Sequence, residues 1–83
     1  MDWEATRIRE LVIEAGALVD WLEDGRGDLE IVGAALIYLR DELCALAQDT
    51  GDAEAASTAC DMVCTVDQIL ANPPVVRRAE RAA

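Results

Sequence analysis

"LEIVGAALIYL", residues 29–39, carries one charged side chain, Glu30, in eleven residues, within a chain of 83 residues and formal net charge −10. Such a run is a membrane span, a buried strand, or a helix covered on most of its sides. A span needs roughly 18 or more apolar residues, whereas Arg40, Asp41 and Glu42 follow this one at once. A strand does not fit what lies beyond it. Leu29, Val32, Leu36, Leu39, Leu43 and Leu46 recur at alternating steps of three and four, the seam of a helix packed on other helices. The stretch therefore reads as a buried helix. Leu29, Val32, Leu36 and Leu39 face one way, and Ile31, Ala34, Ile37 and Tyr38 point to the sides and back. Gly33, Ala34 and Ala35 are small enough to let another helix approach closely.

The flanking segments supply helices for it to pack on. Ile8, Leu11, Val12, Ala15, Leu18, Val19 and Leu22 form the apolar stripe of an amphipathic helix over about residues 3–23. "EDGRGD" then breaks the pattern with two glycines. Asp28 is placed to cap the second helix, with Glu30 favoured in its first turn by the helix dipole. "QDTGD" ends that helix, with Gly51 as a natural left-handed terminator and Asp52 as the cap of a third. In the third helix Ala56, Ala59, Val63, Val66 and Leu70 repeat the spacing until "NPP" stops it.

The fold predicted is all-α, a three-helix bundle made of a helical hairpin plus an N-terminal helix, with helices near 3–23, 28–48 and 52–71. Its core is predicted to contain Leu11, Leu18, Leu22, Leu36, Leu39, Leu43, Val63, Val66 and Leu70. Residues 1–72 form one acidic domain and 73–83 a short Arg-containing tail. A chain this small buries only about 60–65% of the surface its unfolded form exposes, and helices this apolar call for more cover than three provide. With 100° per residue, Ile13, Ala17 and Trp21 lie at about 140°, 180° and 220° from Ile8, on the face opposite the core stripe. Together with Ile31, Ile37 and Tyr38 they mark a self-association surface, and a homodimer is expected.

Charge narrows the choice of partner. Residues 1–71 hold 16 acidic groups and 4 Arg, a net of −12, while residues 72–83 hold three Arg and one Glu, a net of +2. An acidic body repels phosphate, so direct binding to nucleic acid or to an anionic membrane is not expected. A basic protein is the better partner, and Glu10, Glu14, Asp20, Glu23, Asp24, Asp41 and Glu42 are the candidate contacts. The N-terminus "MDWEATRIRE" has no cationic start and no apolar run, and an odd count of three Cys without such a leader points to reduced thiols in a cytoplasm.

Nothing in the chain spells out a reaction. "CDMVC" sets Cys60 and Cys64 one above the other on the third helix, but a structural zinc site wants four ligands, usually Cys and His, and there is no His. No metal or cofactor is expected. The cysteines read best as small apolar packing residues. A Cys44–Cys60 pair across the hairpin is the redox alternative, geometrically easier than a bridge between adjacent turns. The acidic pairs Glu23–Asp24, Asp41–Glu42 and Asp52–Glu54 fall at helix ends and on solvated faces. Ser57 is the only serine, with no His to activate it. The expectation is a non-enzymatic binding protein. In size, acidity and helicity the chain resembles the small acidic proteins of bacteriophages and mobile elements, among them anti-CRISPR and DNA-mimic inhibitors. That resemblance implies a chain that binds one basic host protein and blocks it. The competing class is a homodimeric structural or regulatory module whose acidity is incidental.

Overall fold

The structure, a computed structural model, describes residues 2–73. Apart from Pro73, the segment read as an Arg-containing tail, with Arg77, Arg78 and Arg81, lies outside the described residues. Three helices, α1 (Trp3–Glu23), α2 (Leu29–Asp49) and α3 (Ala53–Ala71), pack each against both others. They form an all-α bundle in which every boundary falls within a residue of the expected one.

Each helix begins the same way. Asp2, Asp28 and Asp52 stand in extended conformation at the three N-caps, and their carboxylates accept from the amides of Ala5, of Glu30, and of Glu54 and Ala55. A Glu follows two residues after each cap, at Glu4, Glu30 and Glu54, where the positive end of the helix dipole favours it. The ends differ. In α1 the amide of Gly25 donates to Leu22 O and that of Arg26 to Trp21 O, a Schellman closure that needs the left-handed Gly25 at φ 75°. Gly51 does not play this part for α2, contrary to expectation. Thr50 leaves the helix in extended geometry, and among the glycines only Gly25 and Gly27 have positive φ.

This turn is held from the start of α1. Asp2 reaches across the bundle so that its Oδ2 accepts from Thr50 Oγ1 at 2.6 Å and from the Gly51 amide at 3.0 Å, while its Oδ1 caps α1 at 3.2 Å from Ala5 N. One carboxylate thus starts α1 and ties it to the α2–α3 turn. The Thr50 hydroxyl, with help from the Ala5 and Gly51 amides, lowers its pKa from 3.8 to about 2.

The core is wholly apolar, with Ile8, Leu11, Leu36, Leu43 and Val66 its largest fully buried members. Leu11, Leu22, Leu36, Leu39, Leu43 and Val66 are buried as predicted. Leu18, Val63 and Leu70 are not: they are partly buried and pack against its edge. Their neighbours Val19 and Ile69 take the inward positions, and Ala5, Ala15, Ala55 and Ala59 fill the rest. A helix flanked by two others buries an arc between both neighbours rather than one narrow seam, so residues at the edge of the seam are only partly covered. Gly33 is buried because α3 passes close: a Cβ there would lie 3.5 Å from Leu70 Cδ2.

Candidate interaction surface

The stretch that decides the fold is covered on one side only. Val32, Gly33, Leu36 and Leu39 face the core, but Ile31, Ala34, Ala35, Ile37 and Tyr38 are exposed, Ile31 at 70% and Tyr38 at 67%. On α1, Ile13 is 74% exposed, Trp21 49%, and Ala17 lies exposed between them. All six residues expected to form a self-association surface therefore stand at the surface. Trp3 joins them, also exposed. It is eighteen residues from Trp21, five full turns, so both indoles project from one line of α1 about 27 Å apart. That spacing is present in the sequence, on the face opposite the core stripe.

Helix pairing fixes how these faces combine. Arg7 on α1 approaches Glu42 on α2 at 3.9 Å, so the α2-facing flank of α1 is the one carrying Arg7. Counting round each helix from that contact, Glu14, Leu18 and Trp21 lie along this flank of α1, and Ile31, Ala35 and Tyr38 along the facing flank of α2. The outer side of the α1–α2 pair thus carries Trp21, Ile31 and Tyr38 with Glu14 beside them. Glu10 lies on the outward face of α1 between Trp3 and Ile13.

The acidic candidates divide. Glu10 and Glu14 border the apolar residues, with Glu10 making a loose 3.8 Å contact to Arg7 within its own helix. Asp20 and Asp24 are exposed on the other side of the same stripe. Glu23 belongs elsewhere, since it lines a groove of about 510 Å³ between α1 and α3 with Val19, Thr65 and Ile69. Asp41 sits on the α3 side of α2 as a ligand of Arg40, whose guanidinium donates to Asp67 Oδ1 across the helices at 2.9 Å. These two carboxylates, Asp67 before Asp41, raise the Arg40 pKa above its already high ordinary value. Glu42 departs furthest from expectation. It turns in between α1 and α2 toward Arg7, and its Oε2 is buried without a hydrogen-bond partner, so it joins helices instead of facing a partner. Three of the four arginines among the described residues bridge elements in this way, Arg9 reaching Asp52 at 3.5 Å. The remaining surface is left strongly negative.

The cysteines also depart from expectation. Cys44, Cys60 and Cys64 are all free and all exposed, so none serves as a small core residue. Alanine takes that role at Ala55 and Ala59. Among the described residues no group of three Cys, His, Asp or Glu is placed to hold a metal ion, and no helix is long and apolar enough to cross a membrane. Comparison with protein-family models, with curated proteins and with solved structures finds no match to this chain. Its functional reading therefore rests on its own residues.

Proposed function

We propose that the chain is a non-enzymatic binding protein that docks a basic protein partner on the outer side of α1 and α2, blocking or modulating that partner as the phage-type inhibitors it resembles do. The observation that carries this reading is the juxtaposition of exposed Trp21, Ile31 and Tyr38 with carboxylates at their border, on a body of net charge −12 over residues 1–71. Aromatic anchors surrounded by charge are the anatomy of a protein interface, and contiguous apolar surface on a small chain marks a contact site. The surrounding charge steers a basic partner in and rejects acidic ones. The test is affinity capture from a bacterial lysate with the tagged full chain, read by mass spectrometry at low and high salt. A basic protein should be retained at low salt, released as salt rises, and lost with Trp21→Glu or with Glu10 and Glu14 both changed to Gln. Capture indifferent to these changes and to salt would overturn the proposal.

A second reading, a homodimer through Trp21, Ile31, Ile37 and Tyr38, is favoured by one further observation. Among the described residues six large apolar side chains stand exposed, divided between α1 and α2. Sedimentation would then show a mass that doubles with concentration and responds little to salt, with Trp21→Glu remaining monomeric and Glu14→Ala behaving as wild type. A monomer at high micromolar concentration would remove this reading and leave the apolar face to the partner.

A further inference from the structure

The three thiols converge although they come from two helices. Cys44 on α2 and Cys60 and Cys64 on α3 line one groove of about 390 Å³, whose wall includes Ala47, Ala56 and Ala59. Alanines at the facing positions allow α2 and α3 to approach at the near end of the roughly 8–10 Å range for packed helices. The register follows from a contact further along the pair, where Gly33 meets Leu70. Moving eleven residues forward on α2 reaches Cys44, and moving eleven back on α3 reaches Ala59, the neighbour of Cys60. The Arg40–Asp67 contact shifts this level toward Val63, so Cys44 lies between the levels of Cys60 and Cys64, and Cys60, 100° round α3 from the buried Ala59 against 140° for Cys64, is turned further toward α2. Cys60 and Cys64 share a helix, and a bridge between successive turns has poor disulfide geometry.

We infer that this groove is a thiol oxidation site, at which a peroxide joins Cys44 to Cys60 in a disulfide between α2 and α3. One thiol, as its thiolate, attacks a peroxide oxygen. The O–O bond breaks, water leaves after protonation, and a sulfenic acid remains. The second thiolate then attacks that sulfur and expels its hydroxyl as a second water. The two thiols give up two electrons and two protons, and one hydrogen peroxide becomes two waters. The oxidant is a neutral peroxide because a chain at −10 repels an anionic one such as a glutathione disulfide.

The test treats the reduced full chain with hydrogen peroxide alone, followed by intact mass and digestion with a protease that cuts after acidic residues. Asp49, Asp52 and Glu54 separate Cys44 from Cys60, and Asp61 separates Cys60 from Cys64, so each thiol falls in its own peptide. The expected product is monomeric, lighter by two hydrogen atoms, with the Cys44 and Cys60 peptides joined and released by dithiothreitol. Cys64→Ser should keep the bond, while Cys44→Ser and Cys60→Ser should lose it with their helical circular dichroism unchanged. Oxidised glutathione at equal concentration should act about tenfold slower or worse at low salt. A bond to Cys64, a bond between chains, over-oxidation without a disulfide, or no reaction would overturn the site. Faster reaction with glutathione disulfide would overturn the oxidant assigned to it.

Discussion

At the scale of single residues, Asp2 joins the start of α1 to the turn between α2 and α3 through both of its carboxylate oxygens. Its folded-state pKa, about 2, lies below the ordinary 3.8. The stability it contributes is therefore fully present above pH 4 and is lost as the pH falls through about 2, where the folded carboxylate takes up its proton. Asp2→Ala should lower the melting midpoint at neutral pH, and the gap from wild type should narrow between pH 4 and pH 2. A gap that stays constant down to pH 2 would show that the charge is not what matters. Two glycines give opposite expectations. Gly33→Ala adds a methyl at ordinary contact distance, 3.5 Å from Leu70, in the middle of a helix, and should stabilise by about 0.5–1 kcal/mol. Gly27→Ala should destabilise, since Gly27 has φ +75° and an added Cβ would sit 3.0 Å from Val32 Cγ2. Denaturant melts of the two variants check both signs.

At the scale of the helices, the apolar spacing and the flanking Asp and Gly residues make all three elements legible in the sequence. The "Asp-x-Glu" opening repeated at Asp2, Asp28 and Asp52 is an equally plain signal of where the helices begin. What spacing did not resolve was which of two adjacent apolar residues turns inward. Leu18 against Val19 and Leu70 against Ile69 differ by 100° of rotation, and only the position of both neighbouring helices decides between them. Leu43, fully buried, and Leu18, at the edge of the core, separate the two cases. Leu43→Ala should cost about 2–5 kcal/mol, and Leu18→Ala less than half as much, in urea melts of each. Equal costs would return Leu18 to the core. The acidic residues were harder to place than the helices. Sequence gives a carboxylate but not the arginine it meets across the bundle, so the Arg7 partner of Glu42 is not legible from it.

At the scale of the whole molecule, three helices of about 20 residues enclose one apolar core but leave the back of the decisive stretch uncovered. Ile31 and Tyr38 on α2 and Trp21 on α1 stand exposed along the outer side of the pair, and Glu14 lies on the same side. This outer side is the proposed contact for a basic protein. Trp3 and Trp21 are the only tryptophans, so Trp3→Phe leaves Trp21 as a single reporter within the proposed contact. The most direct measurement is acrylamide quenching of that variant, free and in complex with the basic protein captured at low salt. The proposed contact predicts that Trp21 emission moves to shorter wavelength and that quenching falls several-fold when the complex forms, with both changes reversed by salt. Complex formation that leaves the emission and the quenching of Trp21 unchanged would contradict it.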